Sequence, residues 1–483
     1  MAEKTPVDDI VVLLPGILGS VLQQDGKDVW AISPGAAWRG LVTLGGSVKD
    51  LRLEHDDPEK LDLGDGVRAT RLMPDLHLLP GFWKIDGYGK VKRRLFEQFE
   101  LVEGLNWFEF PYDWRRDNRV AAHRLAEQAP VWLEAYRKLP GKQDAKFVLL
   151  GHSMGGLVAR YFLEALGGWE MSRALVTFGT PYRGSLNALD YLVHGFTKGV
   201  GPFKLDLSEL LRSLTSVHQL LPVYPCIDDG SGTMKKITEV TGLPDGVDQT
   251  KVAAAAAFHG EIAAAVDKAG GYGRYQISPV VGIFQPTRQS ATLRDGRVEI
   301  LNLLDGRDLG GDGTVPRVSA TPIELSTEAR EVYATESHAS LQNFDPVLVQ
   351  VSGLLTWEPL ALYRGSPADG FRLEVDDVLP PGEPLEVTLA TAGPVLNVAV
   401  ESENVDTGAR LGSTGRLGSD GRATVTLPPL TPGVYRISGR DADGVGLKPV
   451  HDLVVVADEP SAEREASRPD AVAAAPGGTE GAR

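Results

Sequence analysis

The sequence predicts an α/β domain built on a mostly parallel sheet, with an inserted helical lid and a small all-β sandwich after it. Three observations lead there. Short apolar runs suited to strands buried on both faces alternate with stretches of helical periodicity. One such run, Phe147–Leu150, passes through a glycine-pinched turn carrying one serine into an amphipathic stretch. From about Gly365 the texture changes to short strand-like runs separated by proline, glycine and aspartate turns.

Composition sets the outer bounds. A chain of 483 residues has room for two or three domains. With 42% hydrophobic and 24% charged residues it is an ordinary globular composition. A net charge of −16 argues against nucleic acid, and against docking on anionic lipid by electrostatics alone. The single cysteine, Cys226, excludes an internal disulfide framework. The opening residues MAEKTPVDD lack a signal-peptide pattern, and Ile10–Leu22 is too short and too interrupted to span a bilayer. The expectation is a soluble cytoplasmic protein.

In chain order, Ile10–Leu14 reads as a buried strand running into Pro15-Gly16-Ile17-Leu18-Gly19-Ser20. This turn is either a plain strand-to-loop connection or the source of a backbone oxyanion donor at Ile17; pairing with the later serine turn favours the donor. Residues 21–105 carry little periodicity. Their apolar, aromatic stretch Leu72–Tyr88 reads first as packing of an irregular insertion, and second as the wall of an acyl pocket or a lipid contact. Val91–Phe99 and Ala121–Leu139 read as helices, and Asn106–Phe110 as a strand. Asp113 with Arg115 or Arg116 reads as a structural loop clamp.

Phe147–Leu150 then enters Gly151-His152-Ser153-Met154-Gly155-Gly156, followed by Leu157, Val158, Tyr161, Phe162 and Ala165 at helical spacing. Strand, tight turn and helix around one serine make a nucleophile elbow. The helix N-terminus aims its free N–H groups and partial positive charge at the place where an oxyanion would develop. Arg173–Phe178 is a further strand. Residues 186–275 are expected to form a largely helical lid, with helices around Leu205–Leu221 and Val252–Val266. The sheet is expected to resume at Ser278–Phe284 and Val298–Asn302, and Val347–Leu355 to be helical. The sandwich, of immunoglobulin or fibronectin type, takes residues 365–457 after a first domain of 1–364. Its strands are Phe371–Val375, Leu385–Leu389, Leu396–Val400, Ala423–Leu427, Tyr435–Ser438 and Leu453–Val456. Residues 458–483 form a disordered tail.

A serine hydroxyl attacks only when a base takes its proton and a third group orients that base. Of nine histidines, His338 leads by position, late and in a short loop; His152 points away from the serine and His451 belongs to the sandwich. For the acid, Asp305, Asp308 and Asp345 compete with Asp312. The glycines flanking Asp312 give it the most freedom to reach an imidazole. The loop Leu303–Pro316 lacks calcium-loop spacing, so metal is the weaker reading. The candidates are therefore Ser153, Asp312 and His338, with oxyanion donors at Ile17 and Met154. Leu18, Trp83 and Tyr182 are the expected substrate contacts, and neither a cofactor nor a metal is expected.

The ordered set Pro15–Ser20, Phe110–Arg115, Gly151–Gly156, Gly179-Thr180-Pro181, Gly311–Pro316 and His338 resembles the lecithin:cholesterol acyltransferase family, with its lysosomal phospholipases and bacterial relatives. The resemblance covers roughly residues 8–356. It implies an α/β-hydrolase core with a lid, acyl-ester chemistry on phospholipids or other lipids, and the same triad and oxyanion donors. Secreted animal members carry a disulfide-closed membrane-binding loop near the N-terminus, where this chain has no cysteine. They also have an acidic residue where Ile17 stands.

The expected function is a serine acyl-ester hydrolase or acyltransferase acting on a lipid or other hydrophobic ester, with transient contact at a membrane surface. A soluble esterase for small or natural-product esters is the alternative within enzymes. A silent hydrolase-fold binding protein is the alternative outside them. The partner of the sandwich is left open.

Overall fold

The structure, a computed structural model, describes residues 4–31, 51–73, 77–78, 84–85, 87–200, 203–269, 274–325, 331–356 and 370–456. Trp83, most of the stretch Leu72–Tyr88 and the expected tail 458–483 lie outside them. Six strands make the central sheet: β1 (Ile10–Leu14), β2 (Trp107–Glu109), β3 (Phe147–His152), β4 (Ser172–Phe178), β5 (Gln276–Gly282) and β6 (Val332–Ala334). All pair in parallel, in the order β6-β5-β4-β3-β1-β2.

Every residue of β1 and β3 is buried, because helices cover both faces. The period of two in a strand divides the burial. Ile10, Val12 and Leu14 join one core with Leu125 and Leu133 of helix Asn118–Arg137 and Leu157 and Val158 of helix Met154–Glu164. Val11 and Leu13 join the other, with Val91 and Leu95 of helix Gly89–Gln98 and Val347 and Val351 of helix Asp345–Thr356. We number these helices α1 (Gly89–Gln98), α2 (Asn118–Arg137), α3 (Met154–Glu164), α4 (Gln249–Lys268) and α5 (Asp345–Thr356). Asp117 caps α2, accepting the Arg119 N–H at 2.8 Å, and Asp248 caps α4 through Thr250 and Lys251. The alanine-rich α4 buries Val252, Ala255, Phe258, Ile262 and Val266, and Phe258 stacks on Tyr161 of α3 at 5.4 Å.

Two sequence expectations need correction. The segment expected to be a helical lid is helical only in part. A hairpin, Thr197–Val200 with Phe203–Asp206, breaks it, while two short helices, Ser208–Ser213 and Thr215–Gln219, fall in the stretch Leu205–Leu221 where helices were expected. Val298–Asn302 is not in the central sheet. Its strand, Arg297–Leu301, folds back antiparallel on Ser290–Arg294 and completes a separate four-stranded sheet with Ile227–Asp228 and Met234–Lys235. The cause is the Asp295-Gly296 turn, where both residues have positive φ (49° and 73°), the geometry that reverses a strand rather than crossing it over. The vacant place in the main sheet goes to β6, whose three residues are too few to show a period.

The Asp113 clamp is structural. Arg115, 1% exposed, donates to both oxygens of Asp113 and to Asp65, while Arg116 pairs with Asp56 at 3.0 Å. These bonds fasten the 51–73 insertion to the loop after β2. Beside the clamp, the Tyr112 hydroxyl donates to the Pro15 carbonyl at 2.8 Å and Trp114 Nε1 to that of Ser20 at 3.1 Å, fixing the first glycine turn.

After residue 370 two sheets face each other. Three strands (Arg372–Val375, Leu385–Ala390, Arg422–Leu427) lie against five (Val378–Leu379, Asn397–Asn404, Arg410–Arg416, Gly433–Asp441, Val450–Val456). They enclose a separate core that includes Phe371, Val387, Leu389, Val398, Ile437 and Val454. Arg410–Arg416 escaped sequence reading because it is an edge strand with no buried residue and therefore no apolar alternation. Among the described residues, no helix is long and apolar enough to cross a membrane.

Candidate active site

Ser153 stands between β3 and α3 with φ 51° and ψ −124°, a conformation a non-glycine residue holds only where its surroundings enforce it. Three contacts do so. Its N–H donates to the Phe178 carbonyl at 2.9 Å, its carbonyl accepts from the Thr180 hydroxyl at 2.9 Å, and α3 is pressed against β1 just beyond. The approach is so close that a Cβ at Gly155 would collide with the Leu14 and Pro15 carbonyl oxygens. This is why the elbow needs glycine there.

His338 opens a short 3₁₀ turn, Ser337 being its cap. Its Nε2 lies 3.0 Å from Ser153 Oγ and its Nδ1 2.7 Å from Asp312 Oδ2. Asp312 is held in turn, its Oδ1 accepting from the N–H groups of Thr314 and Val315 at 2.9 and 2.7 Å. With Nδ1–H donating to a fixed carboxylate, Nε2 is left as acceptor for the serine proton. Gly179, with φ 58°, passes under this pair: a Cβ there would fall 2.6 Å from Asp312 Oδ2 and 2.9 Å from His338 Nδ1. All three residues are at most 3% exposed. The structure therefore brings together the three residues that the sequence singled out from 185 positions of separation.

Two of the competing acids are occupied elsewhere. Asp308 accepts from Gln289 and pairs with Arg372, and Asp345 pairs with Lys90. Ile17 and Met154 flank the serine from the two glycine turns; a Cβ at Gly16 would sit 3.0 Å from Ser153 Cβ. Neither the Ile17 nor the Met154 N–H has a hydrogen-bond partner among the described residues. Leu18 is buried in the same loop with φ 64°, its carbonyl accepting from Trp30 Nε1 at 3.2 Å. The Tyr182 hydroxyl meets Thr177 at 2.8 Å, and Tyr182 lines a cavity of about 480 Å³ between α3 and α4, walled by Leu157, Leu221, Ala255 and Ile262.

Sequence reasoning set His152 aside as base and missed the bonds it makes. The Gly16 N–H donates to the Tyr88 hydroxyl at 2.8 Å, the hydroxyl donates to His152 Nδ1 at 3.1 Å, and His152 Nε2–H donates to the His338 carbonyl at 3.2 Å. Burial, and secondarily the electrostatic influence of the neighbouring His338, pushes the His152 imidazole down to about 3, so it stays neutral and keeps one tautomer. A buried chain of three bonds thus joins the first glycine turn to the backbone of His338. Tyr88 gave no signal, because nothing in a sequence marks which buried tyrosine will face a histidine 64 residues later.

Sheet, elbow and hydrogen-bonded Ser–His–Asp series define an α/β-hydrolase. Within that class, the lecithin:cholesterol acyltransferase family model matches residues 93–251. The matched segment contains Ser153, Met154 and Tyr182, while Ile17, Asp312 and His338 fall outside it and rest on geometry. The chain is an α/β-hydrolase, and the matched segment resembles this family. An uncharacterized protein of Saccharomyces cerevisiae is 27% identical over 173 residues, 35% of this chain and 23% of that protein. Among solved structures, the Bacillus licheniformis lipase BlEst2 aligns at 11% identity in two forms. Its propeptide form has a TM-score of 0.37 over 94% of each chain, and its mature form 0.35 over 74% of this chain and 95% of its own.

Proposed function

We propose that the protein is a serine-dependent acyl-ester hydrolase, with acyl transfer to an alcohol as its second outlet, working on a lipid or other hydrophobic ester. The observation that carries the mechanism is the series Ser153 Oγ, His338 Nε2 at 3.0 Å, and His338 Nδ1 to Asp312 Oδ2 at 2.7 Å. His338 takes the Ser153 proton as Oγ attacks the ester carbonyl. The N–H groups of Ile17 and Met154 receive the oxyanion. His338 then passes the proton to the departing alcohol, leaving an acyl-serine. Water, or a second alcohol, is deprotonated by the same imidazole and takes the acyl group, restoring Ser153. The family match supports a lipid or hydrophobic ester as substrate.

The test is acyl release from p-nitrophenyl esters of increasing chain length, then from phospholipid vesicles, with and without a long-chain alcohol. Long-chain preference, vesicle hydrolysis and new ester with the alcohol are expected. Short-chain preference with inert vesicles makes it a soluble esterase. Failure of a fluorophosphonate to label Ser153 rejects the mechanism altogether and leaves a binding protein.

A further inference from the structure

The histidine loop is held from the far side by the all-β unit that follows residue 370. Glu336, 1% exposed, accepts at Oε1 both the Ser337 N–H at 3.2 Å and the His451 N–H at 3.0 Å. The Ser337 hydroxyl returns a bond to the His451 carbonyl at 3.1 Å. The two residues before His338 are therefore tied to strand Val450–Val456 by two hydrogen bonds.

Gln285, 3% exposed, makes a second junction just after β5. Its backbone N–H donates to the Gly311 carbonyl at 3.0 Å, beside Asp312. Its side-chain Nε2 donates to the Thr335 carbonyl at 2.7 Å and to the Phe371 carbonyl at 3.2 Å. One buried side chain thus bridges the histidine loop and Phe371, just before the first sandwich strand, from beneath the aspartate loop. The surfaces meet without slack: a Cβ on Gly370 would fall 2.6 Å from Thr335 Oγ1.

We propose that the C-terminal sandwich is a working part of the active site, setting the height and angle of His338 through the positioning residues Glu336 and Gln285. The proposal rests on the triad reading above. An imidazole that must meet Ser153 Oγ and Asp312 Oδ2 at once tolerates little displacement, since about 1 Å of error at a reacting group costs on the order of 100-fold. On the serine side His338 is anchored through its carbonyl by His152. Residues 335–337 are anchored on the other side by a unit whose own core is separate, so the sandwich supplies a rigid wall rather than a loop contact.

The experiment compares Gln285→Met, Glu336→Leu and Glu336→Gln in the full chain, with Thr424→Ala, on an exposed cross-strand pair, as control. Readouts are kcat and KM on a soluble p-nitrophenyl ester, the rate of fluorophosphonate labelling, and thermal unfolding. Gln285→Met and Glu336→Leu are expected to lower kcat and labelling together by about 10–100-fold, with KM changed less than about 2-fold. Glu336→Gln, whose amide oxygen still accepts from His451, is expected to recover most of the loss. Lower unfolding temperature with unchanged kcat overturns the proposal and makes the sandwich a stability device only. Should the two severe variants fail to fold, Ser337→Ala decides: a several-fold fall in kcat supports the coupling, and an unchanged kcat rejects it. Wild-type protein that does not label at Ser153 removes the triad reading itself, an outcome distinct from equal labelling of wild type and variants.

Discussion

His152 and His338, adjacent to nothing in common along the chain, are joined by a bond of 3.2 Å from the imidazole of the first to the main-chain carbonyl of the second. One side of the elbow thereby fixes the backbone of the residue that serves it, and Tyr88 extends the link to Gly16. The loop proposed to hold the oxyanion and the proposed base are consequently parts of one buried hydrogen-bonded unit.

Tyr88→Phe keeps the ring and removes the hydroxyl, leaving the Gly16 N–H and His152 Nδ1 buried without partners. Such orphaned groups cost about 1–3 kcal/mol. We expect a lower unfolding temperature and a kcat reduced about 10-fold with KM little changed, because the loop carrying the Ile17 donor loses its support. Wild-type kcat in this variant refutes the link.

Asp312→Asn keeps the shape of the acid and loses the charge that orients His338. The side-chain N–H₂ offers a donor where Nδ1–H needs an acceptor, favouring the wrong tautomer. The expected loss in kcat is on the order of 10³–10⁴-fold with the fold retained. Steady-state kinetics and circular dichroism check both halves, and a loss below about 10-fold removes Asp312 from the triad.

Arg115→Ala strands the carboxylates of Asp113 and Asp65 around a buried void. Breaking a buried pair by deleting one partner costs about 3–5 kcal/mol. Arg410 pairs with Glu401 and Glu403 while itself 60% exposed, so Arg410→Ala is expected to cost less than about 1 kcal/mol. Urea unfolding of the two variants reads the contrast directly; equal midpoints contradict the clamp.

Acid stability follows from four histidines, His152 and His218 buried and His259 and His451 half-buried. Burial lowers His152 to about 3 and His218, His259 and His451 to about 4 each. Unfolded imidazoles titrate at roughly 6.5, so between there and about 4 the unfolded chain binds more protons than the folded one. Their contribution is complete above about 6.5 and drains away as pH falls toward the folded values. The unfolding temperature should decline from pH 7 to pH 5. His259→Gln, which keeps a donor for the Gln219 carbonyl, should make that decline shallower. A flat profile across this range contradicts the assignment.

The serine turn, its flanking strand and helix, the late histidine and the glycine-flanked aspartate were all legible in the sequence, because each is specified locally. A strand needs a run of apolar residues, an elbow needs glycine at fixed offsets, and a helix needs its period. The all-β character of the last quarter was legible for the same reason. What the sequence left undecided was which distant groups share a buried space. The hairpin at Asp295-Gly296 took Arg297–Leu301 out of the main sheet, and three residues of β6 filled the place, a choice made by neighbouring strands and not by either segment. Tyr88, Gln285 and Glu336 are ordinary polar residues in the chain. They matter only once packing has removed water from around them, since a polar group without water must find its partner in the protein, and only the tertiary structure says which partner stands within about 3 Å.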